Sequence, residues 1–376
     1  MKGIRLNRGR LLPLLLVLLV VTVGRPFADG ESSKSGNPSS KPADQSSKSV
    51  GQSSKPVGQS SKPADTPEKW METMIQATQN LTYRGHFVYQ QGANLETLAV
   101  THTLQKVNGK SEELESIAYL DGLPREMVRQ GNNITFASAG REPARFEHES
   151  LVPMVGRFTS GHFDKHYKLK PAALDRVAGR EAVQLLVVPT DRFRYGYQLW
   201  LDRRTGLLLK SVMVDKEGRI IERMQFTSLE FPKELTSQEL ERLKRKLPES
   251  SGKNVVKLSS KSVPEKAEWK WETGWIPEGF SPRGHSSRNS AVSNQKVDTL
   301  NFSDGLASFS VFVEPDETRV LSQATEQIGS MAAVSKVFRN GEKYFHVTVL
   351  GEIPLGTAER IAVSVRPREQ SRKADK

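Results

Sequence analysis

From Thr82 onwards, apolar and polar side chains alternate with a period of two, as in a β-strand with one buried face. The residues that share one face are Tyr83, Gly85, Phe87 and Tyr89. Two further runs, Leu95–Val107 and Ser111–Leu120, flank Asn108-Gly109, a dipeptide that favours the tight turn of a β-hairpin. Four more strands are expected before residue 235: Ala182–Val188, Tyr195–Leu201, Leu207–Val214 and Arg219–Phe231. The pattern predicts a meandering antiparallel sheet and excludes a doubly wound fold with a phosphate-binding crevice.

A single helix is predicted in front of these strands. Thr66 is placed to cap this helix, and Pro67 suits its first turn. Apolar residues then recur at helical spacing: Trp70, Met74, Ala77 and Leu81. The stretch 140–175 is rich in Pro, Gly, His and charge, which indicates long loops or short helices. One helix packed on one sheet leaves an apolar concave face, which is either an ordinary core or a lipid-type cavity.

A linker and a smaller domain are predicted after the sheet. Ser237–Leu247 is expected to be a short charged helix, and the Ser- and Lys-rich stretch that follows places a boundary near Ser250. The globular part is therefore divided into three regions and a tail: a sheet domain at 66–235, a linker at 236–265, a small α+β domain at 266–366 and a tail at 367–376.

The small domain shows two hairpin signals. Leu300 and Phe302 are expected to pair with the strand containing Phe309 and Val311, across Asp304-Gly305. A second hairpin is centred on Asn340-Gly341. We further expect a helix and a last strand: Leu321–Val334 and Ala358–Val365. The domain opens with three tryptophans, Trp269, Trp271 and Trp275. They are expected to form part of the domain core or of a seam between the domains, and the alternative is a platform that binds carbohydrate or peptide.

The N-terminus has the pattern of a secretory signal peptide. Four basic residues, the last of them Arg10, precede the apolar run Leu11–Val23, and residues 1–28 are assigned to the signal. An uncleaved anchor is the alternative. Residues 29–65 repeat a Ser-Ser-Lys motif every seven residues and cannot bury enough apolar surface to fold. This segment is predicted to be a disordered spacer, or a basic tether to anionic lipid or cell wall.

Composition narrows the possible chemistry. Half of the net charge of +12 lies in the first 65 residues, so nucleic acid is not expected as a partner. The absence of cysteine excludes disulfides and thiol catalysis. His162 and His166, with Asp164 between them, are spaced like two metal ligands, but no third ligand is evident. The sequence also lacks Gly-x-Ser-x-Gly, the motif that carries the nucleophilic serine of many hydrolases. We therefore expect a protein that is not an enzyme and has no metal or cofactor.

Several segments, in this order, resemble the MucB/RseB family of periplasmic sigma-factor regulators. Leu120-Asp-Gly-Leu-Pro-Arg-Glu-Met-Val-Arg129 is the most specific block of the resemblance. The other matching segments are Tyr83-Arg-Gly-His-Phe-Val-Tyr89, His102, Trp200-Leu-Asp202 with Thr205-Gly206-Leu207, and Trp275-Ile-Pro-Glu-Gly-Phe280. The similarity spans roughly residues 68–366.

The resemblance implies a two-domain binding protein of the α+β class. Its N-terminal domain would be a LolA-like antiparallel half-barrel with a helix, linked to the smaller C-terminal domain. The C-terminal domain and linker would hold the periplasmic domain of a membrane anti-sigma factor and shield it from regulated proteolysis. Lipopolysaccharide or lipid would release it. Whether the chain forms a homodimer stays open.

Six candidate site residues follow from strand alternation and from the family block. Phe87, Tyr89, Leu199 and Leu201 are the candidates for an apolar ligand-binding face, with ordinary core as the alternative. Arg125 and Arg129 are the candidates for contacts with lipid phosphates, with a solvated turn as the alternative. Two other functions remain open: a periplasmic lipid or lipoprotein carrier, and an envelope glycan-binding module.

Overall fold

The computed structural model describes the chain in nine stretches and leaves the N-terminal segment undescribed. The described residues are 66–107, 109–131, 133–138, 144–147, 158, 165–244, 270–289, 295–316 and 323–368. The predicted signal peptide, the repeat, Asn108, His162, Asp164, Trp269 and most of the linker lie outside these residues. Among the described helices, none has both the length and the apolar character that crossing a bilayer requires.

The alternating segments form an antiparallel sheet of 11 strands, the large sheet. Its strands are β1 Tyr83–Gln91, β2 Asn94–Val107, β3 Lys110–Tyr119, β4 Arg125–Gln130, β5 Asn133–Ser138, β6 Ala144–Glu147, β7 Tyr167–Val177, β8 Arg180–Pro189, β9 Gly196–Asp202, β10 Leu208–Val214 and β11 Ile220–Glu230. Their spatial order is β6-β5-β4-β3-β2-β1-β11-β10-β9-β8-β7. Each strand pairs with its neighbours in sequence except β6 and β7, which form the two edges of the sheet, and β1 pairs with β11. The predicted meander is therefore confirmed.

Helix α1, Pro67–Asn80, covers one face of the large sheet, which we call the inner face. Its start is fixed as predicted, because the Thr66 side chain accepts a hydrogen bond from the backbone N–H of Lys69 at 3.3 Å and Pro67 follows it. Met71, Met74 and Ala77 are buried from the helix side. They pack in one cluster with inner-face residues of the sheet, and this cluster is the larger of the hydrophobic cores.

A second sheet of six strands, the small sheet, follows helix α2, Ser237–Lys244. Its order is β13-β14-β15-β18-β17-β16, and a separate two-stranded pair joins β12 to β19. The bounds are β12 Trp271–Thr273, β13 Ser281–Asn289, β14 Lys296–Ser303, β15 Ser308–Pro315, β16 Ala324–Ile328, β17 Met331–Asn340, β18 Lys343–Gly351, helix α3 Leu355–Ala362 and β19 Val365–Pro367. Leu300 pairs with Val311 and Phe302 with Phe309, as predicted.

Two secondary-structure predictions in the small sheet are wrong. The described part of Leu321–Val334 is not a helix but the hairpin of β16 and the start of β17, because Ala332 and Val334 alternate into the core with no exposed surface. Most of Ala358–Val365 is helical, because Ala358, Ile361 and Ala362 recur at helical spacing and bury one stripe. Only the end of that segment is a strand.

The stretch predicted as loops or short helices at 140–175 also differs where it is described. It contains β6 and most of β7, which are the two edge strands of the large sheet. Strand β7 carries Pro171 and a register shift between Pro171 and Leu174. Proline and bulges are tolerated at sheet edges, so a sequence rich in breakers still forms a strand there.

Candidate functional site

The strand register places all six predicted site residues on the inner face of the large sheet. Phe87 lies opposite Leu98, which lies opposite Tyr119, which lies opposite Arg125. Tyr89 and Leu199 belong to the next row, joined through Met224 and Ser211. Leu201 lies on the same face two residues from Leu199, and Arg129 lies on it four residues from Arg125. The four residues chosen by alternation therefore share one face, and the two arginines chosen from the family block lie on the same face.

The apolar candidates are packed in the core beneath helix α1. Leu199 and Leu201 have no exposed surface, Phe87 is 5 % exposed and Tyr89 is half-buried. A small cavity lies beside Phe87, with room for a water-sized sphere of only about 10 Å³, which is about one water molecule. Its lining residues are Thr78, Tyr83, Phe87, Val100, Leu207, Leu208, Met224 and Phe226. An acyl chain would therefore contact these residues only after helix α1 had moved away from the sheet.

Arg125 lies at the partly exposed end of the inner face. Its guanidinium group donates a hydrogen bond to Glu96 at 2.9 Å and stacks 4.0 Å from the ring centroid of Tyr119. The side chain keeps 24 % of its surface exposed. A guanidinium held over a ring still presents its in-plane N–H groups to an anion. Arg125 is therefore accessible to a lipid phosphate, although contact with one stays a prediction.

Arg129 is buried in a network of charged groups. It donates hydrogen bonds to Glu113 and, at 3.2 Å, to Glu115, and only 4 % of the residue is exposed. His102 lies beside this network, with its ring stacked on Tyr83 and its Nδ1 2.7 Å from the carbonyl oxygen of Leu81. Arg129 therefore holds two carboxylates in the described conformation, and its predicted contact with phosphate remains untested.

The pKa values of two groups in this network shift in opposite directions: that of Tyr83 rises and that of Glu113 falls. Burial raises the pKa of Tyr83 well above its ordinary value, and the Glu115 carboxylate adds to the rise. Burial also acts to raise the pKa of Glu113, but the neighbouring His102 ring, 3.5 Å away, and the pairing with Arg129 outweigh it and lower the pKa. Glu113 therefore stays ionised, which its pairing with Arg129 requires.

Sequence reasoning missed a buried polar seam between the large and small sheets. Arg194, in the segment before β9, donates a hydrogen bond to Asp304 at 2.9 Å, and neither side chain has exposed surface. The Tyr167 hydroxyl donates to the same Asp304 oxygen at 3.2 Å, and Arg194 also donates to the Glu278 carbonyl at 2.5 Å. A strand pattern gives no signal for a pair that is separated by 110 residues in the chain.

Further contacts extend the seam on both sides of Arg194. The ring of Phe193 lies edge-on to Trp275 at 5.0 Å between centroids, and its carbonyl accepts a hydrogen bond from the Thr357 hydroxyl at 3.2 Å. The Tyr195 hydroxyl donates to the carbonyl oxygen of Ile353 at 3.2 Å. Three consecutive residues of the segment before β9 thus enter the seam. Trp275 supports the interdomain-seam interpretation of the tryptophans, whereas Trp271 is 7 % exposed and belongs to the small-sheet core.

The histidine pair predicted as a possible metal site is not completed by the described residues. His166 packs against Gly279, where a Cβ atom would collide with its ring. His162 and Asp164 lie outside the described part of the chain. Within that part, no group of three His, Cys, Asp or Glu residues is arranged to hold a metal ion.

Comparison with known proteins matches both sheets to one family. The model of the MucB/RseB N-terminal domain matches residues 66–244, and the model of the MucB/RseB C-terminal domain matches residues 265–366. The sigma factor AlgU regulatory protein MucB of Pseudomonas aeruginosa is 34 % identical over 304 residues, which cover 81 % of this chain and 92 % of that relative. The sigma-E factor regulatory protein RseB of Escherichia coli K12 is 27 % identical over 303 residues, covering 79 % of this chain and 89 % of the relative.

A solved structure of MucB in complex with MucA(peri) is similar over the same length. It has a TM-score of 0.64 and 31 % identity, and the match covers 81 % of this chain and 100 % of that chain. The similarity therefore extends over both sheets.

Proposed function

The chain belongs to the MucB/RseB family, and on this premise we propose that it is a periplasmic negative regulator of an envelope-stress sigma factor. It binds the periplasmic domain of a membrane anti-sigma factor and shields that domain from regulated proteolysis. Lipid or lipopolysaccharide releases the partner. The match of both family models, in order, to residues 66–244 and 265–366 is the observation that carries this proposal.

The match covers both sheets, and this extent supports a regulator rather than a lipid carrier. A lipid carrier needs only the helix-covered sheet, whereas MucB, which this chain resembles over both sheets, is solved in complex with MucA(peri). The buried Arg194–Asp304 pair also supports this choice, because it joins the two sheets through charges that are costly to bury.

Release requires a ligand that favours a state with weak partner binding. The cavity beside Phe87, beneath helix α1, has room for about one water molecule, so an acyl chain can enter there only in a state in which the helix has moved. Strand β9 connects this face to the seam, because Leu199 and Leu201 lie under the helix while Phe193, Arg194 and Tyr195 precede the same strand. A lipid that displaces the helix can thereby alter the seam, and the partner site with it.

The first experiment measures partner binding by calorimetry. The exported chain is titrated with the periplasmic domain of the membrane anti-sigma factor from the same cell, with and without lipopolysaccharide. We expect tight binding that lipopolysaccharide weakens. Absence of binding under both conditions would overturn the regulator proposal.

A cross-link tests whether helix α1 must move. Gly206, in the turn between β9 and β10, approaches the helix so closely that a Cβ built on it lies 3.3 Å from the Cβ of Thr73. This separation is close to the range of disulfides, and the chain has no cysteine of its own. Thr73→Cys/Gly206→Cys is therefore expected to retain the partner in lipopolysaccharide when oxidised and to release it when reduced.

The reduced double variant and Gly206→Cys alone are the matched controls. Gly206 has a φ of 78°, so a side chain there introduces strain whether or not the bond forms. Equal release from the oxidised and the reduced protein would show that lipid acts without moving the helix.

A further inference from the structure

On the outer face of the large sheet, opposite helix α1, a register row across five adjacent strands begins and ends with a cation, and further cations lie close to it. Arg223 on β11 lies opposite Val212 on β10, which lies opposite Gln198 on β9. Gln198 lies opposite Leu186 on β8, and Leu186 lies opposite Lys170 on β7. Lys168 follows the same alternation on β7, and Lys210 lies in the neighbouring row. We call this set the outer patch: Lys168, Lys170, Lys210 and Arg223.

Among the described residues, no carboxylate forms an ion pair with a side chain of the outer patch, although Asp175 lies close enough to act on Lys210. Every ion pair found there involves other side chains. The carboxylate nearest to the patch, Asp175, instead accepts a hydrogen bond from the indole of Trp200 at 2.7 Å and another from the backbone N–H of Arg176 at 2.7 Å. Two other carboxylates on this face, Asp202 and Glu230, are paired with arginines outside the patch.

Two members of the patch repel each other. Lys210 stacks over Trp200 at 4.0 Å from the ring centroid. Burial lowers the pKa of Lys210, and the charge of Arg223 lowers it further, against a weaker effect of Asp175. The Nε atom of Arg223 is buried without a hydrogen-bond partner. Two neighbouring cations held in this arrangement would both be stabilised by an external anionic group.

The shape of the outer patch favours a surface over a single small anion. Adjacent strands lie about 4.8 Å apart, so the line from Arg223 to Lys170 spans roughly 19 Å. The residues between these cations are Val212, Gln198 and Leu186, which belong to the face of a regular sheet. Pockets that bind one small ligand need polar groups that converge on a point. These cations are instead spread over the outer face of a sheet, which suits an extended plane of negative charge.

We propose that the outer patch docks the protein on the surface of an anionic phospholipid bilayer. The headgroup phosphates supply a plane of charges that meets all four cations at once, and each Lys or Arg near such a surface contributes about 1 kcal/mol of attraction. The contact leaves helix α1 and the inner face free, because they lie on the other side of the sheet. It is independent of the protein partner, and salt weakens it.

Vesicle co-sedimentation tests the proposal with the chain as the cell exports it. The probes are vesicles of phosphatidylcholine alone and of phosphatidylcholine mixed with phosphatidylglycerol. We expect binding to the anionic vesicles that falls as salt is added, and a loss of about 30-fold in partitioning for Lys168→Gln/Lys170→Gln, which corresponds to about 2 kcal/mol. Both lysines are exposed on an edge strand, so the change leaves the core intact.

The matched control removes two exposed cations that are already paired. Arg203 pairs with Glu181 and Arg219 pairs with Asp215. Arg203→Gln/Arg219→Gln lowers the formal positive charge by the same amount and is expected to change partitioning less than 3-fold. The N-terminal Ser-Ser-Lys repeat is present in all variants, so its own contribution cancels.

Two results would overturn the proposal. One is equal partitioning of the outer-patch variant and the control. The other is binding to poly-L-glutamate that depends on the outer patch while binding to anionic vesicles does not, because the partner of the patch would then be an acidic protein.

Discussion

The guanidinium group of Arg194 and the carboxylate of Asp304 form an ion pair 2.9 Å long, with both side chains fully buried between the large and small sheets. Asp304 is also held by the Tyr167 hydroxyl at 3.2 Å and by the backbone N–H groups of Leu306 at 2.9 Å and Ala307 at 2.7 Å. These hydrogen bonds offset part of the cost of removing two charges from water. Loss of Arg194 leaves the Asp304 carboxylate buried without its cation, whereas Arg194 has a second partner in Asp191 at 3.1 Å.

Arg194→Met is expected to destabilise the protein by about 3–5 kcal/mol, because it leaves the Asp304 carboxylate buried and without its cation. Adding Asp304→Asn should cost less than the sum of the two single changes. Chemical denaturation measures both effects. The control is Arg203→Met, which breaks a pair whose side chains are 54 % and 74 % exposed, with an expected cost of at most about 1 kcal/mol. A cost for Arg194→Met as small as that of the control would contradict this prediction.

Local patterns predicted what depends on local sequence. The hairpin of Leu300 and Val311, the cap at Thr66 and the inner face that contains Phe87 all follow from periodicity and turn chemistry. The two segments whose predicted secondary structure was wrong contain Ala, Val and Ile. These side chains pack equally well on one stripe of a helix or on one face of a strand. Their state is decided by long-range packing, since Val334 and Ile361 enter the same core.

The functional residues show a similar division. The family block singled out Arg129, but it could not show that Glu113 and Glu115 on the adjacent strand would pair with it in a buried network. Arg194 carried no local signal, because its partner comes from a turn of the other sheet. The sequence therefore predicts faces and turns, while pairing across strands and sheets requires the structure.

Arg129 and Arg125 are expected to respond differently to substitution. Arg129→Met leaves Glu113 and Glu115 without their cation in a buried site and should cost about 3–5 kcal/mol. Arg125→Met, at a partly exposed pair with Glu96, should cost about 1 kcal/mol or less. Chemical denaturation with linear extrapolation gives both values. Equal losses would mean that the Arg129 network is solvated.

The different burial of Arg125 and Arg129 decides which of them can be used to test the predicted phosphate contacts. Arg125→Ala should weaken lipid-triggered release while partner binding and stability remain close to those of the unchanged chain. Arg129→Ala would confound release with unfolding and is unsuitable for that assay. Unchanged release from Arg125→Ala would remove Arg125 from the candidate site.

Asp202 should make stability depend on pH in the acid range. Burial acts to raise the pKa of Asp202, but hydrogen bonds from Arg180 and from the backbone N–H of Thr205 lower it overall. A carboxyl group whose pKa is lower in the folded than in the unfolded state stabilises the protein fully at pH values above the unfolded pKa of about 3.9. This contribution is lost as the pH falls through the folded pKa. We expect Asp202→Asn to be less stable at neutral pH and to show a shallower acid decline below about pH 4.

Denaturation midpoints measured from neutral pH down to acid test this dependence. Asp121→Asn serves as the control, because Asp121 is an exposed turn residue that accepts one hydrogen bond, from the backbone N–H of Thr97 at 2.6 Å. An acid decline of Asp202→Asn as steep as that of the unchanged chain would show that other carboxylates account for it.

Phe87 tests whether the space beneath helix α1 accepts an apolar ligand. The ring lines the small cavity and lies 5.7 Å from that of Phe226, between centroids. Phe87→Ala should destabilise the protein by about 3–5 kcal/mol and enlarge the cavity. An apolar cavity of that kind stays dry and binds apolar molecules, and a ligand that binds only the folded state raises its stability. Lauric acid should therefore raise the melting temperature of Phe87→Ala more than that of the unchanged chain.

The control is Val88→Ala, because Val88 is half-buried on the outer face of the same strand. This variant should show no such gain in melting temperature. Equal shifts for the two variants would place the fatty acid elsewhere than beneath the helix.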